Sequence, residues 1–317
     1  MTAPMPSEAP FDAKFAVHRL WQAADAAKLF DTVGGDIVGI AAGGRIRIDE
    51  PLLRRLPNVK VIANFGVGYE RIDVDAALAR GITVTNTPDV LTDEVADLTL
   101  GLLIATVREI PRAERFLRDG LWPNGRFPLT ASLRGRKVGI IGLGRIGKAV
   151  AVRCAAFGLA VAYFGRKVQA DQSYRYFDDL KAMAEHCDVL IATLPGGDAT
   201  QNIVDRAVLD RLGPQGIFIN VSRGSIVDEA ALIAALREKR ILAAGLDVYR
   251  NEPAVPPELL ALDNVVLLPH VGSGSRATFA AMNDLLLRNL EACLGGLPPV
   301  TPIPEMADGR PRRRVEP

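Results

Sequence analysis

The sequence predicts an α/β protein made of two parallel, doubly wound blocks. Short apolar runs alternate with Ala/Leu/Arg-rich helical stretches almost throughout, the pattern of parallel strands joined by crossover helices. The chain has 317 residues, enough for two domains at roughly 100 to 200 residues each. A glycine-rich turn at 142–147 joins a strand-like run to a helical one at the head of the second block. In the first block Phe15 to Val17, Ile37 to Ala41, Val59 to Asn64 and Ile82 to Thr85 read as strands. A long helix follows from Thr92, with Asp93 and Glu94 in its first turn where they complement the helix dipole. It runs through ADLTLGLLIATVREI to about Pro111, and its apolar length suits a domain link or a dimer interface. The second block supplies six β-rich runs, KVGII, AVAYFG, DVLIATLP, GIFINVS, LAAGLDV and NVVLLP. A last helix from Ser275 to about Leu294, rich in leucine, is expected to return to the first block. The division is therefore 1–98 with 284–317 as one domain and 99–283 as the other.

Composition removes several classes of function. Lys plus Arg number 38 and Asp plus Glu 37, for a net charge of +1, so no global field favours nucleic acid or an anionic membrane. The RPRRR cluster at 310–314 reads as part of a solvated tail. Three cysteines, Cys154, Cys187 and Cys293, are an odd number without metal-ligand spacing. Neither a disulfide framework nor a metal site is expected, and a reducing compartment fits. The N-terminal MTAPMPSEAPFDAK lacks the apolar core of a signal peptide, and no run approaches the ~18 apolar residues of a membrane span. The expected location is cytoplasmic.

Gly142, Gly144 and Gly147 form G-x-G-x-x-G around Leu143, Arg145 and Ile146, directly after VGII and before a helix. Such a turn binds a dinucleotide. The first glycine permits the tight turn, the second lets the backbone approach a pyrophosphate, and the third allows close helix–strand packing. At the end of the next strand, where NAD enzymes usually carry an acid for the ribose hydroxyls, stand Gly165, Arg166 and Lys167. A carboxylate there would repel a 2′-phosphate, whereas glycine leaves room and a guanidinium binds it. NADP is therefore favoured over NAD.

Ligands of open α/β sheets sit beyond the carboxyl ends of the strands. Arg223 follows GIFINVS, Glu252 follows LAAGLDV in DVYRNEP, and His270 follows VVLLP; each is about one βα unit from the next, so the three can converge. Hydride transfer to a 2-keto acid builds negative charge on the carbonyl oxygen, which needs a proton from a group titrating near pH 7. His270 suits that task, Glu252 would orient its ring and favour the imidazolium, and Arg223 would hold the substrate carboxylate in a paired contact. His18 and His186 read as structural histidines.

These residues belong to longer motifs: NFGVGYERID at 64–73, TPDVLTDEVADLTLGLLIA at 87–105, GRKVGIIGLGRIGKAVA at 135–151, INVSRGSIVDEAALIAAL at 219–236, GLDVYRNEP at 245–253 and LLPHVGSGS at 267–275. Over residues 35–296 the chain resembles the D-isomer-specific 2-hydroxyacid dehydrogenases, particularly their glyoxylate/hydroxypyruvate reductase branch. The resemblance implies a flavodoxin-like substrate domain and a Rossmann-like dinucleotide-binding domain with an active-site cleft between them. It implies a homodimer formed through the cofactor domain. It makes Arg223 the substrate-binding arginine, His270 the catalytic histidine and Glu252 its acid partner. Backbone amides of Gly66, Val67 and Gly68 would bind the substrate carboxylate, and Leu194, Pro195, Val221, Ser222, Asp247, His270 and Gly272 would line the nicotinamide half of NADPH. In LPGGDATQN, Gly196 and Gly197 replace the bulkier residue many relatives carry, and Trp122 resembles a tryptophan that some reductases place near the partner subunit's site. The implied reaction is NADPH-dependent reduction of glyoxylate or hydroxypyruvate to the D-2-hydroxy acid. A larger keto acid, such as a 2-ketoaldonate or hydroxyphenylpyruvate, is the alternative within the fold, and a non-catalytic NAD(P)-sensing corepressor the alternative outside it.

Overall fold

The computed structural model describes residues 1–44 and 46–307, and the RPRRR cluster lies outside the described residues. The chain divides into two compact units, one of Met1–Leu91 with Ser275–Pro317 and the other of Thr92–Gly274. Each division falls where a helix begins. The expected edges at 98/99 and 283/284 lie instead inside the helices Thr92–Val107 and Arg276–Leu294, whose continuous i to i−4 bonding keeps each helix in one unit.

In the first unit strands β1 (Gly39–Ala42), β2 (Val61–Asn64) and β3 (Thr83–Thr85) form a parallel sheet in the order β1-β2-β3. The expected strand at Phe15 to Val17 is absent. The Phe15 amide closes a helical turn onto the Phe11 carbonyl, and the edge beside β1 is met instead by the Thr2 amide, 3.0 Å from the Ala41 carbonyl. Phe15 and Val17 are apolar for another reason: they pack on a cluster holding Met5, Phe11, Ala41, Val61 and Leu286. The helix Arg276–Leu294 is started by Ser275, whose hydroxyl accepts the Thr278 amide, as N-cap residues do. Its Leu286, Leu287 and Leu290 lie in the same cluster, so the helix covers one face of β1 and β2.

The second unit contains β4 (Lys137–Ile141), β5 (Ala160–Phe164), β6 (Arg175–Phe177), β7 (Val189–Ala192), β8 (Ile217–Asn220), β9 (Ala243–Leu246) and β10 (Val265–Leu267). They form one parallel sheet in the order β10-β9-β8-β7-β4-β5-β6. The chain therefore winds outward from β4 to one edge, returns, and winds from β7 to the other, leaving a switch point between β4 and β7. Every residue of β7, β8 and β9 is buried, as expected for strands covered by helices on both faces. The seventh strand, β6, was not expected from sequence, because Arg-Tyr-Phe is only half-buried and has no apolar run to announce it. The helix Thr92–Val107 buries Val95, Leu100, Leu102 and Leu103 among others. It approaches β9 so closely that a Cβ on Gly245 would lie 2.6 Å from the Thr106 hydroxyl. Its apolar character thus serves the core of this unit. The helix stops where Glu109 turns left-handed at φ 51°, and Ile110–Arg118 begins anew with Pro111 in its first turn, where a missing N–H leaves no bond unmade.

The cysteines are free thiols. Cys154 and Cys187 are buried at 0% and 4% exposure, and burial pushes each thiol up to about 12. At pH 8 the thiolate fraction is then on the order of 10⁻⁴. Titration of the native protein with an aromatic disulfide reagent should modify Cys293 at most, and urea should release all three thiols; rapid reaction of two or more before unfolding would contradict this packing.

Candidate active site

The glycine turn leaves β4 at the switch point. Gly142 has φ 96°, and a Cβ there would meet the Leu194 Cβ at 2.6 Å, while one on Gly147 would lie 2.2 Å from the Gly142 carbonyl oxygen. Only glycine fits at either place. Gly144 differs: the space a Cβ would fill is open, and the residue caps the helix Arg145–Ala156. An open face at a helix N-terminus suits a pyrophosphate. Leu143 is buried and Ile146 half-buried, whereas Arg145 is exposed. At the end of β5, Gly165 also has open space. Arg166 and Lys167 are exposed and enter no ion pair among the described residues, so two cations and no carboxylate stand at this strand end. Leu194 and Pro195 follow β7, and the buried Val221 and Ser222 follow β8.

Arg223, Glu252 and His270 stand after β8, β9 and β10, three neighbouring strands that end at the same side of the sheet. His270 Nδ1 lies 2.8 Å from Glu252 Oε2, and the other carboxylate oxygen accepts the Tyr249 amide at 3.1 Å. Burial opposes ionisation of Glu252, yet the hydrogen bond with His270, the Tyr249 amide and the charge of Arg223 together hold its carboxyl below the ordinary value. Nδ1 is engaged by the carboxylate, which leaves Nε2 as the ring nitrogen for other partners. His270 adopts a left-handed conformation at φ 56°, a strained state that persists only where surroundings enforce it. Asp247, 1% exposed, supplies the enforcement: Oδ1 accepts the Val271 amide and Oδ2 the Gly272 amide, both at 2.8 Å. A Cβ on Gly272 would reach Oδ2 at 3.0 Å. Burial raises the Asp247 carboxyl against the opposing pull of those amides and of His270.

Gly66, Val67 and Gly68 form a loop after β2 in the other unit, with Gly66 at φ 141°. The Gly66 amide donates to the Thr87 hydroxyl and the Gly66 carbonyl accepts the Thr87 amide, both at 3.0 Å. His186 stacks against Phe177 with ring centroids 5.3 Å apart, consistent with a structural role.

The D-isomer specific 2-hydroxyacid dehydrogenase NAD binding domain model matches residues 100–272, more than half of the chain. The chain belongs to the D-isomer-specific 2-hydroxyacid dehydrogenases. Among them it is 43% identical over 305 residues to glyoxylate/hydroxypyruvate reductase A of Arabidopsis thaliana, covering 96% of this chain and 97% of that protein. It is 44% identical over 267 residues to the 2-ketogluconate reductase of Gluconobacter oxydans, covering 84% and 86%. The crystal structure of an NADPH-dependent glyoxylate/hydroxypyruvate reductase from Sinorhizobium meliloti, in complex with NADP and malonate, superposes with a TM-score of 0.91 at 46% identity, covering 99% and 98%.

Other residues support this dehydrogenase site without having been expected from sequence. Asn220, 0% exposed, accepts the Ser222 amide and hydroxyl, each at 3.0 Å, and donates to the Arg223 carbonyl at 2.9 Å. It folds the turn that carries Arg223. A Cβ on Gly224 would collide with the Tyr249 backbone at 1.9 Å, so this glycine lets the β8 turn reach the segment leading to Glu252. The Thr193 hydroxyl donates to the Gly142 carbonyl at 2.6 Å and props the cofactor turn.

The Glu252 carboxyl sits below its ordinary value of 4.5 when folded. It therefore adds stability that is complete above 4.5 and disappears as pH falls through the depressed value. Urea unfolding of Glu252→Gln should show a deficit relative to wild type at neutral pH that closes below pH 4.5; a deficit independent of pH would contradict the ionised pairing with His270.

Proposed function

We propose that the protein reduces small 2-keto acids, glyoxylate and hydroxypyruvate, to D-2-hydroxy acids with NADPH. The observation that carries this reading is the pairing of His270 with Glu252 at 2.8 Å on strand ends adjoining the one that bears Arg223. When bound, the nicotinamide supplies the hydride for the keto carbon. Arg223 holds the substrate carboxylate and draws electron density toward the carbonyl oxygen, and His270 donates the proton from Nε2 to that oxygen as its charge develops. Glu252 accepts the hydrogen bond from Nδ1, orienting the ring and leaving Nε2 as the nitrogen that delivers the proton. In the Gly66-Val67-Gly68 loop the Gly66 amide is held by the Thr87 hydroxyl, and Val67 and Gly68 offer theirs to the substrate carboxylate; the surrounding unit is the substrate domain.

Gly142 to Gly147 take the pyrophosphate. Gly165, Arg166 and Lys167 take the 2′-phosphate, and Leu194, Pro195, Val221, Ser222, Asp247 and Gly272 line the nicotinamide half. The cofactor preference rests on the two unpaired cations and the missing carboxylate at the end of β5, and the Sinorhizobium meliloti relative is described as NADPH-dependent. The substrate choice follows the relatives named glyoxylate/hydroxypyruvate reductase. A larger keto acid is the second reading, favoured by the similarity to a 2-ketogluconate reductase and by the lean Gly196-Gly197 pair after Pro195. The implied homodimer is supported by the exposed apolar residues Ile110, Leu117, Leu121 and Trp122 on and after the helix Ile110–Arg118. Among the described residues no helix is long and apolar enough to cross a membrane, and the free thiols suit the cytoplasm.

Replacing His270 by Ala should lower kcat for glyoxylate by roughly 10²- to 10⁴-fold, the usual worth of a general acid; turnover near wild type in stopped-flow assays would reject the assignment. Arg166→Ala should raise the KM for NADPH by roughly 10-fold or more while leaving that for NADH little changed, since only one coenzyme has the charge-assisted contact to lose. Equal effects on both coenzymes, or a wild-type kcat/KM higher with NADH, would remove the phosphate-binding role.

A further inference from the structure

We infer that Asn64 and Asn86 are positioning residues that aim the backbone amides of the 66–69 loop at the substrate carboxylate. The inference rests on the reading that Gly66 to Gly68 bind that carboxylate, and it names what makes the loop an anion receptor. The Asn64 side-chain amide donates both hydrogens, to the Gly66 carbonyl at 3.1 Å and the Gly68 carbonyl at 3.0 Å. The Asn86 side-chain amide donates to the carbonyl between them, that of Val67, at 2.9 Å. Three successive carbonyls are thus captured. In a trans peptide the C=O and N–H of one plane point opposite ways, so the amides of Val67 and Tyr69 are turned away from Asn64 and that of Gly68 away from Asn86. None of these three amides donates to a described residue, whereas backbone donors normally find partners. Successive unanswered N–H groups in one short loop are what attracts a carboxylate.

Asn86 is itself fixed. It is 7% exposed, its backbone amide donates to the Thr301 carbonyl at 3.2 Å, and its carbonyl accepts the Thr301 hydroxyl at 2.7 Å. That hydroxyl also accepts the side-chain amide of Asn289 at 2.8 Å, and Asn289 Oδ1 accepts the amides of Val300 and Thr301 at 3.1 and 3.0 Å. Asn289 is 0% exposed on the helix Arg276–Leu294. A buried polar chain from the returning C-terminal helix therefore ends on the Val67 carbonyl and sets the orientation of a loop more than 200 residues earlier in sequence.

The carboxylate keeps its charge throughout the reaction, so weakening its receptor removes binding shared by ground and transition states and should appear in KM. For Asn64→Ala and Asn86→Ala the KM for glyoxylate should rise about 10-fold or more, with kcat within about threefold of wild type and NADPH affinity unchanged. In wild-type holoenzyme labelled with ¹⁵N, the Val67 and Gly68 amide resonances should move when oxamate is added, and in the variants they should move less. An unaltered KM in both variants, with those resonances still moving in wild type, would overturn the positioning role and leave the loop reading intact. Resonances unmoved in wild type would overturn the loop reading and this inference with it. A parallel loss of kcat and NADPH affinity would mark general loosening and also overturn the inference. Asn64 is only half-buried, so its variant remains decisive if Asn86→Ala fails to fold.

Discussion

The buried Asp247 carboxylate is the constraint on which the histidine depends. It sits at the end of β9 and accepts two consecutive amides from the segment after β10, which ties the two strand ends together and holds His270 left-handed. Leaving those amides unpaired beside a buried anion would be costly on both sides. The clamp therefore fixes the backbone from which the imidazole projects, and Glu252 then fixes the ring through Nδ1. Two carboxylates act in sequence: the buried one sets the backbone, and the half-exposed one orients the ring.

The same economy appears at the other strand ends. Asn220 folds the turn of Arg223, Thr193 props the glycine turn, and Asn64 with Asn86 holds the 66–69 loop. In each case a short polar side chain at or just after a strand terminus satisfies carbonyls or amides that would otherwise seek water, and a functional group of the neighbouring backbone or side chain is left facing outward. The parallel sheet supplies the alignment, because adjacent strands running the same way end on one side. These small residues convert that alignment into directions.

Much of this was legible in the chain. The alternation of apolar runs with helical stretches, the glycine spacing at 142–147 and the positions of Arg223, Glu252 and His270 one βα unit apart all depend on local order, which sequence reports directly. What was not legible depends on partners far along the chain. Phe15 and Val17 look like a strand because they are apolar, and only the packing against Leu286 and its neighbours shows why. The short strand β6 is recognisable only through its pairing with β5. Asn64, Asn86 and Asn220 carry no motif beyond being asparagines near strand ends, and their roles emerge only once the carbonyls they serve are located. The helix Thr92–Val107 is apolar enough to suggest a link or an interface, and its burial against the helix Arg145–Ala156 and β9 of its own unit is a second use that sequence did not announce.

The chemistry joins these parts into a reductase with a defined handedness. Hydride must reach one face of the keto carbon while the proton goes to its oxygen, so the product should have a single configuration. The most direct measurement is turnover of hydroxypyruvate with NADPH followed by chiral separation of the glycerate formed. The expected result is one D-glycerate for each NADPH oxidised; L- or racemic glycerate, or NADPH binding without oxidation by any 2-keto acid, would contradict the assignment.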